Sequence, residues 1–367
     1  MKKRGILTHH SYDNYGAVLQ AYALQTYILK HLKKDVEIIN FCTDKQVQDN
    51  DVLQLKGKKT IRSIISILYH KLPIYCQLRK RRHRFNQFRK EYLVLTKRYK
   101  DAKSLTDDIP FEDIYITGSD QVFNPYAEYT EVYYLGFKKD GARKVAYAPS
   151  FGVADLEESV NKRLQCLIRD FDYISCREQV GADYLSKLLG KNVPCVVDPV
   201  FLLTNEEWNI VMKKTKLNNS YSEGYIFVYR LNGGLQLMQL AQKVSETVNL
   251  PIICVATDNL YKTGCVVNHS AGPLELFGLI KGASYVVTDS FHGTALSLVF
   301  GVKVIPYIAF RQASSRITTI MENIGLSRNI IYNVDDFDFN SLFFTDYEIQ
   351  LRRYKDFSEK FLSDALS

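Results

Sequence analysis

The stretch from Tyr285 to Pro306, Y-V-V-T-D-S-F-H-G-T-A-L-S-L-V-F-G-V-K-V-I-P, limits the fold of this chain more than any other. A β-branched run over Val286 to Thr288 ends in a polar turn carrying Asp289, Ser290 and His292. A small-residue helix begins near Gly293, and a second apolar run covers Val302 to Ile305. Strand, loaded turn, helix and strand in that order is the repeating unit of an open parallel sheet. In such sheets ligands bind at the carboxyl ends of the strands, where the next helix offers unpaired N–H groups to an anion. His292 therefore stands where chemistry is usually done. Asp289 and Ser290 are beside it, and Gly293 lets a ligand approach the backbone. The alternative is a histidine that merely caps the helix, and its neighbours favour the functional reading.

The same pattern recurs along the chain. A strand over Arg4 to His10 runs into the turn His10 to Gly16, followed by a helix with Ala17, Ala21, Leu24, Ile28 and Leu32 on one face and a strand over Val36 to Phe41. This β-loop-α opening, with Asn14, Tyr15, Gly16 and Gln20 at its turn and first helical residues, suits an anion or a sugar hydroxyl. It lacks G-x-G-x-x-G, which argues against a dinucleotide. Strands are expected over Asp113 to Thr117, closed by Gly118, Ser119, Asp120 and Gln121, and over Lys144 to Ala148. A helix over Leu156 to Phe171 leads to a strand over Tyr173 to Cys176, followed by Arg177 and Glu178. The next helix stops at Gly190, and a strand over Val193 to Val197 ends in Asp198 and Pro199.

The polar, aperiodic stretch Lys213 to Glu223 reads as a boundary. Beyond it come a strand over Gly224 to Arg230, a helix through Leu237 to Val248, a strand over Pro251 to Ala256 and a short helix from Pro273 to Ile280. Arg311 to Arg316, R-Q-A-S-S-R, reads as a loop with two guanidinium groups. Tyr347, Leu351, Tyr354 and Phe361 mark a last helix, of the kind that crosses back to the first domain. A chain of 367 residues is long enough for two cores.

Charge is uneven. Arg79 to Arg84 reads R-K-R-R-H-R, and the segment 56–103 combines this basic run with Ile61, Ile64, Ile65, Leu68 and Leu72 at helical spacing. Two readings stand side by side: an amphipathic element on an anionic membrane surface, and a solvated helical hairpin whose Phe85 and Phe88 pack on the body of the protein. No nucleic-acid motif accompanies the charge, so nucleic acid is not an expected partner. The seven cysteines show no zinc spacing and read as reduced thiols. The N-terminus carries no secretory signal and no apolar stretch reaches a membrane span, so a cytoplasmic location is expected.

The chemistry-bearing residues exclude several classes. The histidines are dispersed and no metal cage is visible, so no metal is expected; nor is there a G-x-S-x-G elbow for a hydrolase. What remains is arginines at strand or loop ends (Arg177, Arg230, Arg311 and Arg316), one well-placed histidine and glycine-containing turns. Guanidinium groups bind phosphate or carboxylate at two points, and imidazole transfers a proton near neutral pH. Each arginine also has a purely structural alternative: Arg230 paired at a domain edge, Arg311 and Arg316 solvated in a loop.

Taken in order, N-Y-G-A-V-L-Q-A-Y-A-L at Asn14 to Leu24, G-S-D-Q-V-F-N at Gly118 to Asn124, S-C-R-E at Ser175 to Glu178, V-D-P-V at Val197 to Val200 and T-D-S-F-H-G at Thr288 to Gly293 together resemble the polysaccharide pyruvyl transferase family. The resemblance implies an α/β fold of two Rossmann-like domains facing a cleft, GT-B-like. Residues 1–215 would form the acceptor side, with the insertion 56–103, and residues 216–345 the donor side. Residues 346–367 would return to the first domain. The resemblance further implies transfer of the pyruvyl group of phosphoenolpyruvate, a co-substrate and not a cofactor, to a sugar on a polyprenyl diphosphate carrier. On this reading His292 and Asp289 are catalytic, and Arg177, Ser290, Gly293, Arg316, Arg311 and Arg230 meet the donor. Asn14, Tyr15, Gly16, Gln20, Ser119, Asp120 and Gln121 meet the acceptor. The chain departs from the family's S/M-R-L-H pattern by placing Ser290 and Phe291 ahead of the histidine. A GT-B glycosyltransferase using a sugar nucleotide and a non-catalytic member of an assembly complex are the alternatives.

Overall fold

The computed structural model describes residues 3–53, 60–110, 113–137, 141–153, 158–212, 223–231, 234–256, 265–309 and 315–367. The first half runs β1 (Arg4–Leu7), α1 (Tyr15–Lys30), β2 (Glu37–Ile38), α2 (Asp44–Asp49), α3 (Ile61–Lys71), α4 (Tyr75–Tyr92), α5 (Ala102–Asp107), β3 (Ile114–Thr117), α6 (Thr130–Tyr133), β4 (Arg143–Ala146), α7 (Asn161–Ile168), β5 (Tyr173–Ile174), α8 (Gln179–Leu189) and α9 (Asn205–Met212). The second runs β6 (Ile226–Tyr229), α10 (Gly234–Val248), β7 (Ile252–Val255), β8 (Cys265–Asn268), α11 (Pro273–Lys281), β9 (Tyr285–Thr288), α12 (Phe291–Phe300), β10 (Lys303–Pro306), α13 (Ser315–Asn323) and α14 (Glu348–Leu366).

Each half builds a five-stranded, all-parallel sheet, ordered β2-β1-β3-β4-β5 and β10-β9-β6-β7-β8. Strands such as I-Y-I-T and I-F-V-Y are buried on both faces, so they read as continuous apolar runs without alternation. The strand order reverses between β1 and β3 in the first sheet and between β6 and β9 in the second, and these switch points are where open α/β sheets bind ligands. The two-domain α/β fold expected from the sequence is the one observed.

One apolar layer lies between the halves. It runs from Ile6, α1 and Phe85 through Val200, Phe201 and Trp208 to Phe277 and Leu296. The Trp208 ring sits 5.5 Å from Tyr22 of α1 and 4.8 Å from Phe277 of α11, and its indole N–H donates to Val200 O at 3.2 Å. A large hydrophobic interface of this kind opposes free movement of one domain against the other. Helix α14 returns to the first half. Arg143 donates to Ala365 O at 3.0 Å, Arg4 donates to Leu366 O at 3.4 Å, and the Val197 N–H donates to Ser358 Oγ at 3.0 Å. The two guanidinium groups thus cap the negative end of the helix dipole.

Several sequence expectations shift. The strand expected over Val193 to Val197 reduces to one bridge between Cys176 and Cys195. Pro194 has no N–H to give, and the Val197 N–H goes to α14, so the ladder cannot extend. The run Arg311 to Arg316 is not all loop, because Arg316 lies in the first turn of α13, while Arg311 falls outside the described residues. Strand β8 was not anticipated from the sequence: its half-exposed C-V-V-N forms an edge and carries no strong period. The expected boundary at 213–223 lies, except for Glu223, outside the described residues. In the basic segment Phe85 and Phe88 are buried, as the hairpin reading requires, and none of the seven cysteines forms a disulfide. Among the described residues no helix is long and apolar enough to cross a membrane.

Because the central layer is close-packed, Phe277→Ala is expected to cost about 3–5 kcal/mol. Chemical denaturation followed by the fluorescence of the single Trp208 measures this, and a loss below about 1 kcal/mol would contradict the packing described.

Candidate functional site

The two switch points face each other. The carboxyl ends of β1 and β3 bring Asn14, Asp120 and Gln121 to one wall of a cleft. Those of β6 and β9 bring Tyr229, Leu231, Asp289, Ser290, Phe291 and His292 to the other, and Arg316 with Ile317 closes one end. The cleft holds about 160 Å³.

His292 lies in the first turn of α12 and its ring rests on the backbone of Gly16 at the start of α1. A Cβ added at Gly16 would overlap the imidazole, so only glycine admits the ring there. On the other side of the ring Asp198 approaches, its Oδ2 3.6 Å from His292 Nε2, which is buried without a hydrogen-bond partner. The same Oδ2 accepts from Arg177 Nη1 at 2.5 Å and from Ser119 Oγ at 2.9 Å, while Oδ1 accepts the Val200 N–H at 3.0 Å. Burial alone would raise the Asp198 carboxyl, but Arg177 and His292 hold it well below the usual carboxylate range. Burial also disfavours the Arg177 charge, and Asp198, Asp120 and Glu178 more than restore it.

Arg177 stands behind the cleft. Its guanidinium is 4.5 Å from the centre of the Phe291 ring, which covers it, and its side chain is 1% exposed. Nη2 lies 3.6 Å from Asp120, and Nε and Nη2 have no hydrogen-bond partner. Among the described residues, Arg316 is the arginine that lines the cleft. With the Gln121 carboxamide turned so that its oxygen faces the guanidinium, that oxygen accepts from Nη1 at 3.0 Å and Nη2 at 3.3 Å. Burial and then the nearby Arg177 lower the Arg316 pKa, with Glu178, Asp120 and Asp198 opposing. An anion arriving at this end would relieve that repulsion. Burial tends to raise Asp120, but Arg177, His292, His9 and Arg316 keep it below its ordinary value, an ionised acceptor on the cleft wall.

The remaining sequence candidates have other placements. Asp289 lines the cleft and accepts the Leu231 N–H at 2.6 Å; the carboxylate beside His292 is that of Asp198. Ser290 is the N-cap of α12, accepting the Gly293 N–H at 3.2 Å, and Gly293 lets α12 press against Thr288 and Tyr229. Asn14 caps α1 by accepting the Ala17 N–H at 3.3 Å. Tyr15 leaves the cleft to donate to Ala271 O at 2.7 Å, across the domain interface. Gln20 is fully buried, donating to Thr8 Oγ1, His9 O and Ala17 O and accepting the Ser119 N–H at 3.1 Å. It fixes the β3 turn and does not line the cleft. Ser119 is likewise buried, and Arg230 is not among the lining residues. Sequence reasoning passed over Asp198 and His9. Both are polar residues at the end of an apolar run, which was the available signal. Among the described residues no group of three or more His, Cys, Asp or Glu side chains is placed to hold a metal ion.

Removing a buried partner leaves an uncompensated charge, so Asp198→Asn is expected to lower stability by about 3–5 kcal/mol. The folded-state pKa of Asp198 lies below its unfolded value, so this contribution is full above about pH 4 and is lost as pH falls through the folded value. Denaturation of both proteins from pH 7 downward checks this. The gap should narrow only below about pH 4, and a gap that closes between pH 5 and 7 would contradict it.

UDP-bound MnaA from S. aureus is similar in structure at a TM-score of 0.51 and 12% identity, over 90% of this chain and 84% of that one. UDP-N-acetylglucosamine 2-epimerase from Rickettsia bellii gives 0.49 at 10% identity, over 100% and 96%. At 12% identity the likeness to MnaA speaks to the fold alone, an arrangement of two facing Rossmann-like domains. No curated protein sequence matches the chain. The family model for polysaccharide pyruvyl transferase matches residues 14–309, from the cap of α1 to beyond β10, and the chain belongs to that family.

Proposed function

We propose that this transferase moves the pyruvyl group of phosphoenolpyruvate onto two hydroxyls of a sugar in a surface-polysaccharide precursor, forming a cyclic ketal. One observation carries the reading: His292 and the guanidinium of Arg316 line the same narrow cleft, opposite the ionised Asp120. At about 160 Å³ the cleft is below the roughly 300–1,000 Å³ that encloses larger ligands, and it suits a donor of few atoms better than a sugar nucleotide.

In this mechanism Arg316 holds the donor's phosphate or carboxylate. Protonated His292 gives its proton to the donor methylene, which becomes the methyl group. A sugar hydroxyl bonds to the resulting cationic carbon and loses its proton to Asp120. The bond from that carbon to the bridging phosphate oxygen then breaks, and inorganic phosphate leaves with that oxygen. The second hydroxyl bonds to the same carbon, and its proton departs through solvent or the leaving phosphate. One donor and two hydroxyls thus give one ketal and one phosphate, with no oxidant. Asp198 keeps the imidazole oriented, while Arg177 keeps Asp198 ionised. The departure from the family pattern at Ser290 moves the donor-binding cation from the helix cap to Arg316. Carriage of the acceptor on a polyprenyl diphosphate would bring α3 and α4 to the membrane surface on the cytoplasmic side, with the exposed Ile61, Ile65 and Tyr69 toward lipid.

Thermal-shift titration with phosphoenolpyruvate, beside UDP and UDP-sugars, is the test. Phosphoenolpyruvate should stabilise the wild type, and Arg316→Ala should weaken that binding roughly 10- to 100-fold. His292→Ala and Gly16→Ala should keep donor binding and lose about 10²- to 10⁴-fold in turnover, the latter because its methyl expels the ring. Stabilisation by UDP-sugars alone, or full turnover in His292→Ala, would end the proposal.

A further inference from the structure

A second cleft, of about 400 Å³, opens beside the first, between the turn at Tyr12 to Asn14, the end of α2 and the basic helices α3 and α4. Its volume falls within the roughly 300–1,000 Å³ of clefts that enclose organic ligands. Asn14 lines both clefts, so the two share a wall. Lys71, Arg81 and Arg82 line the second one. Two of its guanidinium nitrogens, Arg81 Nε and Arg82 Nη1, are buried without a hydrogen-bond partner. Buried donors of this kind are rarely left unmade in a folded protein.

The cations are held in place. Arg81 lies 4.8 Å from the centre of the Tyr15 ring and 5.3 Å from that of Phe85, and donates to Asp13 O at 3.3 Å. Lys71 donates to Val52 O at 3.0 Å. Asp13, Asp49 and Asp51 line the same cleft, and Asp13 is also paired with Arg89. A preset fork of two guanidinium groups with orphaned donors matches phosphate oxygens.

We infer that this cleft binds the phosphate end of the acceptor: a sugar diphosphate whose phosphates sit on Arg81, Arg82 and Lys71, and whose sugar passes Asn14 to reach His292 and Asp120. The inference rests on the pyruvyl-transfer reading for the direction of the sugar, but the anion site stands on its own geometry. The diphosphate has two chemical sources, a nucleotide and an isoprenoid lipid. On the isoprenoid reading the chain would leave along α3, where Tyr69 and Leu72 flank Lys71 and are 70% and 61% exposed.

Calorimetric titration of the full-length protein with inorganic pyrophosphate tests the site. Binding should weaken with added salt, and Arg82→Gln and Lys71→Gln should each weaken it roughly tenfold. Neither change should alter stabilisation by phosphoenolpyruvate, because neither residue lines the first cleft. Arg81→Gln is the third variant, read only where its thermal unfolding matches the wild type, since Arg81 also packs on Tyr15. Farnesyl diphosphate binding tenfold tighter than pyrophosphate assigns the lipid source, and UDP doing so assigns the nucleotide; either supports the site. Absence of pyrophosphate binding, or affinity unchanged in Arg82→Gln and Lys71→Gln, overturns it. Loss of the phosphoenolpyruvate response with pyrophosphate binding intact would instead strike the donor reading and leave this site standing.

Discussion

The structure turns on one buried carboxylate. Asp198 reaches the interior just after the first sheet has been completed, and there it accepts hydrogen bonds from Arg177, Ser119 and the Val200 backbone while lying 3.6 Å from His292. A charge removed from water is tolerable only if its partners are close and well directed. Three of the four come from the first half and the fourth from the second, so satisfying Asp198 also sets where α12 stands relative to β3. The imidazole is trapped between this carboxylate and the bare backbone of Gly16, and neither can move without exposing or stranding a charge.

The sheets supply the reason the two halves meet there. Each has its reversal of strand order at its centre, and each reversal opens a crevice at the carboxyl ends of its strands. An apolar layer from α1 through Trp208 to α11 holds the crevices mouth to mouth. Side-chain bonds reinforce it across the seam: Tyr15 donates to Ala271 O, and Arg84 pairs with Glu275 at 2.9 Å. The basic helix α4 therefore serves as more than a charged surface. Phe85 and Phe88 anchor it in the core, Arg84 ties it to the second domain, and Arg81 rests on Tyr15. Within the cleft the charges are arranged unequally. Arg177 is neutralised and covered, whereas Arg316 is desolvated and faces Arg177, so the gain on meeting an anion is concentrated at Arg316.

Much of this was legible before any coordinates. Apolar runs ending in polar turns gave the strand–helix alternation and the two sheets. The turn at Asp289 to His292, the turn at Ser119 to Gln121 and the opening at Asn14 all reach one region, because in a parallel sheet every strand end of a given sense lies on one edge. Contacts distant in sequence were not legible. Asp198 as the neighbour of His292 depends on how two domains dock, and no local spacing encodes that; the adjacent Asp289 looked the better partner. Arg177 was expected to meet the donor and Gln20 the acceptor, but their burial follows from Phe291 closing over the one and from four hydrogen bonds absorbing the other. Local propensity also failed where backbone groups found distant partners, as with Val197 and Ser358.

The measurement that bears most directly on this account is a structure of the protein with phosphoenolpyruvate bound. The expected result is a donor in the cleft between Asp120 and Asp289, an anionic group on Arg316, the methylene carbon facing His292, and Asp198 still bridging Arg177 and the imidazole. A donor seated away from Arg316, or a His292 that swings off Gly16 and out of reach of the methylene, would contradict it.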